Sequence, residues 1–208
     1  MSSEVLLPRK QPQQARSAAT VDIILEAATR VLSERSLAGF NTNRIAEVAG
    51  VSVGSVYQYF PNKASLVTAL IERAQSALAE AIETSADKTR GQSLSVVLYG
   101  MIDVAIDHQF GNRMLAAALD HEEQRLPLDH VLSAAQVRII NAVHQALSSA
   151  IELRTTPLPD SAAADCLTIA KAMIETEANG PVPDVLGLRQ RIERAIRGYL
   201  LTSGSETK

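Results

Sequence analysis

Two tyrosine hydroxyls, a glutamine amide, a lysine ammonium and several small hydroxyls fall within one short run of this 208-residue chain, TNRIAEVAGVSVGSVYQYFPNK, from Thr42 to Lys63. Such groups donate and accept hydrogen bonds; what they offer is recognition. Gln58 can pair bidentately with the edge of an adenine, whereas hydroxyls, ammonium groups and the first N–H groups of a helix suit phosphate oxygens. Thr42 and Asn43, at the head of one predicted helix, are therefore phosphate candidates, as are the Tyr59 hydroxyl and Lys63. Ser52, Val53, Gly54 and Ser55 open a second helix, and Gly54 has no side chain to keep its backbone from a base pair. Tyr57 can rest its ring on a thymine methyl, hydrogen-bond a phosphate, or pack against a neighbouring helix. Val56 and Phe60, four apart, are core.

Two short helices must hold these groups in place. Ile45, Ala46 and Ala49 make a narrow apolar face on a helix predicted over 42–49, and Gly50 supplies the positive φ that ends it. Val51 turns back to the core, and Ser52 caps a helix over 53–60. Ala46 is small where two steeply crossed helices touch. This is the helix-turn-helix plan, in which the second helix enters the major groove of DNA. Pro61 stops that helix, and Asn62 caps a long one from Lys63 to about Ser85.

The tail YQYFPNK with Leu66 after it, the upstream ILEAATRVLSE and the GF before Asn41 together resemble the TetR family of transcriptional regulators. The match covers roughly residues 20–70; beyond it only the helical layout is similar. One departure is Asn41, where the family often has the first of two hydroxyl residues. The resemblance implies an all-α protein of about nine helices: a three-helix DNA-binding head, joined by a long helix to a ligand-binding and dimerisation body. It also implies repression as the usual mode, phosphate contacts at the positions of Tyr59 and Lys63, and pairing of the last two helices with those of a second copy. On that basis Ala170, Met173, Ile174, Ile192, Ile196 and Tyr199 are the expected dimer contacts, the alternative being that these stripes close the monomer's own core. A lone reading helix spans few base pairs, which also favours a homodimer on a palindromic operator in double-stranded DNA.

Composition agrees with a reader that touches DNA at one end. The formal net charge is −3, yet residues 1–75 carry eight Lys/Arg against six Asp/Glu, so the acidic excess lies in the remainder. Residues 1–17, with Arg9, Lys10 and Arg16, read as a flexible basic arm, 18–66 as the head and 67–203 as the body. Hydrophobic residues make up 46% and aromatics 3%, which points to aliphatic helix packing. The lone cysteine, Cys166, excludes an internal disulfide and reads as a packing residue. With no signal peptide and no long apolar run, the expected location is the cytoplasm, away from membranes.

Helical stripes continue through 20–37, 92–108, 113–119, 129–153, 161–178 and 185–200. A broad apolar body can enclose a small-molecule pocket; its candidate lining is Leu98, Met101, Ile102, Phe110, Met114 and Val137, with His108, His121 and Arg125 as polar contacts. No cofactor or metal is expected. Asp120, His121, Glu122 and Glu123 are metal-ligand types, but neighbours on a helix point different ways, and no HExxH pair, P-loop or nucleophile constellation is present. An enzyme is therefore disfavoured. The competing reading is a helical ligand- or partner-binding protein that no longer reads DNA.

Overall fold

The computed structural model describes residues 15–123, 125–126, 129–155 and 157–202, and among these it contains helices and no strand. The helices are α1 (Ala15–Gly39), α2 (Thr42–Ala49), α3 (Val53–Tyr59), α4 (Lys63–Thr89), α5 (Leu94–Phe110), α6 (Arg113–Glu123), α7 (Asp129–Ser149), α8 (Ala162–Ala178) and α9 (Val185–Thr202), with a 3₁₀ turn at Ile151–Leu153. The all-α class and the number of helices match the sequence reading. Several boundaries move outward: α1 starts before Thr20 and ends past residue 37, α4 runs past Ser85, α5 past His108, α9 past Leu200, and α6 continues from the expected 113–119 to Glu123. The expected basic arm lies outside the described residues as far as residue 14.

The chain packs as two compact units. Among the described residues, the first comprises those of 15–74 and 112–132, the second those of 75–111 and 133–202. In the first, α1 packs on α2 and α6, and α2 on α3. Its core joins Ile24, Ala28, Val31 and Leu32 of α1 to Phe40, Ile45, Ala46, Val56, Phe60, Leu66 and Leu70, with Ala118 and Leu119 of α6. Asn112 ties α6 into this unit: its Oδ1 accepts from Leu115 N at 3.1 Å, capping the helix, while its Nδ2 donates to Ser33 Oγ of α1 at 2.7 Å.

The second unit is aliphatic throughout. Leu94, Leu98, Met101 and Ile102 of α5 meet Val143 and Leu147 of α7, Ala163, Cys166 and Ile174 of α8, and Leu188, Ile192 and Ile196 of α9. The N-terminus of α5 takes a distant cap: Leu94 N donates to Glu152 Oε2 at 2.7 Å. Polar links fasten α9 to α5 and α8. Arg189 grips Asp103 with two hydrogen bonds and lies 4.0 Å from the centre of the Tyr99 ring, and the Tyr199 hydroxyl donates to Asp165.

Candidate nucleic-acid interface

The site is built by short-range caps. Asn41 has extended backbone and its Oδ1 accepts from Arg44 N at 2.9 Å, which starts α2. Gly50 ends α2 with φ 66°, left-handed, and Val51 N returns to Ala46 O at 3.0 Å. That bond and Gly50's own form the paired closure characteristic of a glycine C-terminus. Two residues on, the Ser52 hydroxyl accepts from Ser55 N at 3.0 Å and opens α3. Asn62 opens α4: its Oδ1 accepts from Ser65 N at 2.8 Å, while the Ser65 hydroxyl returns to Asn62 O. Four termini are thus set within about 25 residues of each other, three by the side chains of Asn41, Ser52 and Asn62 and one by the backbone at Gly50.

These caps fix which way α3 faces. At about 100° per residue, Val56 and Val53 share one arc while Gly54, Ser55 and Gln58 share the opposite one. The burial agrees: Val56 is fully buried, Gly54 and Gln58 are exposed, and Ser55 is half-buried. Tyr57 and Tyr59 fall on the two borders between these arcs. Each is fastened to a different helix. The Tyr57 hydroxyl lies 3.1 Å from Thr42 Oγ1, at the first residue of α2, and that of Tyr59 lies 3.1 Å from Ser17 Oγ of α1. Tyr57 is 45% exposed and Tyr59 half-buried, so it is Tyr59, not Tyr57, that leans on α1.

Lys63, exposed at the first residue of α4, holds its ammonium 5.5 Å from the centre of the buried Phe40 ring. Thr42 is half-buried and Asn43 exposed; Ser52 is exposed and Val53 half-buried. All ten residues expected at a DNA surface stand in the first unit, on α2, on α3, at the Ser52 cap or, for Lys63, at the start of α4. Ser17 and Phe40 were not among them. Ser17 gave no signal, since a serine in a helical run has no distinguishing neighbour in sequence.

The residues expected to line a ligand pocket are divided between the two units. Leu98, Met101 and Ile102 fill the core of the second unit, and His108 and Phe110 are half-buried near the end of α5. Val137 points outward from α7, 56% exposed. Met114, His121 and Arg125 belong to the first unit, where Met114 and His121 are exposed and Arg125 pairs with Glu122 at 3.3 Å. A surface groove of about 440 Å³ in the second unit is lined instead by Ala77, Glu80, Ala81, Thr84, Ser85 and Lys88 of α4 with Val104 of α5.

Of the expected dimer contacts, Ile174, Ile192 and Ile196 are already closed off inside the single chain, at 5% exposure or less, because they are the core side of α8 and α9. A second copy would have to meet other faces. Ala170, Met173 and Tyr199 are half-buried against the same core. Cys166 is buried as expected for a packing residue, and burial beside Asp165 pushes its thiol up to about 12, far from the reactive thiolate. Among the described residues no cluster of His, Cys, Asp and Glu could hold a metal ion, and no helix is long and apolar enough to cross a membrane.

Comparison with known proteins converges on the same region. Residues 24–70 match the family model of bacterial regulatory proteins, tetR family. The nucleoid occlusion factor SlmA of Haemophilus ducreyi is 31% identical over 124 residues, 57% of this chain and 61% of that protein, so the chain spans about three fifths of its length. The HTH-type transcriptional regulator AcrR of Shigella flexneri is 26% identical over 175 residues, 81% of this chain and 77% of that protein. Among solved structures, the transcriptional regulator FadR of Bacillus subtilis in complex with stearoyl-CoA superposes with a TM-score of 0.68 at 20% identity, covering 84% of this chain and 96% of that one. That likeness is one of fold.

Proposed function

We infer that this chain, whose N-terminal head belongs to the tetR family of bacterial regulatory proteins, is a sequence-specific DNA-binding transcriptional regulator that works as a homodimer on a palindromic operator. It acts as a repressor, and a small molecule bound by the second unit releases it from the operator. The observation that carries the reading is the outward arc of α3. Gln58 and Gly54 stand exposed there between two tyrosines whose hydroxyls are held by other helices. A helix serving only as scaffold has no use for that arrangement, whereas a helix in the major groove needs a base reader at its centre and phosphate contacts at its borders.

Release by a ligand requires that the ligand prefer the form that does not fit the operator. AcrR and FadR are regulators, and FadR was solved with an acyl-CoA; this supports a ligand in the helical body without naming one here. The SlmA relatives, nucleoid occlusion factors by name, favour a second reading, in which the chain binds chromosomal DNA other than at a promoter it controls. Selection of operators from random DNA, followed by mapping of occupied sites on the chromosome, separates the two. One or a few promoter sites support a repressor; sites away from promoters support the second reading. Within the selected operator, Gln58→Ala should relax preference at one base pair, at a cost of about 1–3 kcal/mol. Lys63→Ala should instead weaken all sequences alike and flatten the salt dependence. Equal losses for Gln58→Ala on operator and random DNA would remove Gln58 from base reading.

A further inference from the structure

We propose that Ser17 of α1 takes part in a DNA-phosphate contact, forming with Tyr59 one of two hydroxyl pairs that bracket the reading helix, either hydroxyl of which can donate to the phosphate. The proposal rests on the DNA-reading assignment above and adds to it a residue and a helix. Tyr57 and Tyr59 are two positions apart on α3, so their side chains leave it about 200° apart, on either side of Gln58. Each ends on a second hydroxyl: Tyr57 on Thr42 of α2, Tyr59 on Ser17 of α1, both at 3.1 Å.

Two hydroxyls carry two hydrogens, and one satisfies the bond between them. The other is left to donate away from the pair, from an oxygen whose place the pairing holds. A phosphate oxygen is the acceptor that a helix lying in the major groove meets on both borders, since one strand of the backbone runs along each side. Because Tyr57 and Tyr59 leave α3 on opposite sides of Gln58, a duplex read by Gln58 would set one strand against the Thr42–Tyr57 pair and the other against the Ser17–Tyr59 pair. Ser17 is only half-buried, and its partner hydroxyl comes from a residue 42 positions away. The pair therefore forms only when the head is folded, which presents the hydrogen without ordering a loose side chain on binding.

The test uses the full chain and the selected operator, with single methylphosphonates placed in turn along each strand to remove one phosphate charge at a time. Wild type should lose affinity at one phosphate on the side of α3 away from the Thr42–Tyr57 contact. Ser17→Ala and Tyr59→Phe should each bind about tenfold more weakly, as expected for a hydrogen bond to a charged group, and alike on operator and random DNA. Both variants should then be insensitive to the methylphosphonate at that phosphate while staying sensitive elsewhere. Ser17→Thr, which keeps the hydroxyl, should bind as wild type does. The salt slope should not change, because a neutral hydroxyl releases no counterion. Ser17→Ala binding as wild type does, or losing affinity additively with every methylphosphonate, overturns the proposal; thermal melting of each variant separates such a loss from unfolding. Failure of wild type to select any sequence would overturn the DNA reading itself, a result visible before any variant is made.

Discussion

Lys63 sits where a helix least favours it. A cation at the first residue of a long helix meets the positive end of the macrodipole, at a cost of about 0.3–1 kcal/mol. The Phe40 ring, 5.5 Å from the ammonium, offsets part of that cost and aims the group. Phe40 is thus a positioning residue for the proposed phosphate contact, besides filling the core of the first unit. Phe40→Leu should keep the head folded and weaken DNA binding about two- to fivefold on all sequences, the range of an exposed cation–π contact. In a Lys63→Ala background the same change should have no further effect on affinity. Anisotropy titrations across a salt series on the four proteins measure this; a loss that persists without Lys63 would reduce Phe40 to a packing residue.

At the scale of elements, the ends of α2, α3 and α4 in the head are set by neighbours in sequence, whereas α5 and α6 are set by partners far along the chain. Asn41, Gly50, Ser52 and Asn62 each set a terminus of α2, α3 or α4 within a few residues, which is why those helices were legible from the chain alone. The start of α5 was not, since its cap is Glu152, 58 positions away. Nor was the place of α6, whose bond to Ser33 spans 79 positions. On α7 aliphatic residues recur so densely that pattern could not tell Ile139 and Val143, which are buried, from Val137 and Ile140, which are exposed. Glu152 yields a prediction of its own. The Leu94 N–H holds its carboxyl below the ordinary glutamate range, and Arg197 adds to the effect. Hydrogen bonds likewise lower Glu83 (from Arg138), Asp165 (from Tyr199) and Glu177 (from Asp184 and Arg191). A depressed folded value stabilises at pH above the unfolded value, about 4.3 for glutamate, and the contribution is lost as pH falls through the folded one. The second unit should therefore lose stability as pH drops below about 4.3. Glu152→Gln should lower the melting temperature at pH 7 and narrow its fall between pH 6 and pH 3, as followed by circular dichroism. An unchanged acid profile would show that this cap contributes nothing.

At the scale of the whole molecule, the proposed dimer needs a face that the single chain leaves open. Ile174, Ile192 and Ile196 cannot supply it, being buried in the second unit. The opposite sides of the same helices can. Ala164, Thr168, Ala172 and Thr176 recur every fourth residue on α8, and Arg191, Ala195 and Gly198 follow at i, i+4 and i+7 on α9; all are exposed. A Cβ placed at Gly198 would meet no atom of its own chain within 4 Å. The small side chains among them, Ala164, Ala172, Ala195 and Gly198, let two helices approach closely, so these faces fit a helix pair from a second copy. Two substitutions one helical turn apart on α9 then separate the roles. Ile192→Ala should cost the single chain about 2–5 kcal/mol through the cavity it leaves, lowering the melting temperature while the remaining folded protein still dimerises. Ala195→Glu should leave the fold of each chain intact but place a charge at the contact, shifting sedimentation toward monomer. With one head instead of two, it should bind a palindromic operator little better than a half-site. Sedimentation and melting of both variants decide the matter. If Ile192→Ala separates the copies while Ala195→Glu leaves them joined, the contact lies on neither stripe, and the two heads are brought together by another surface.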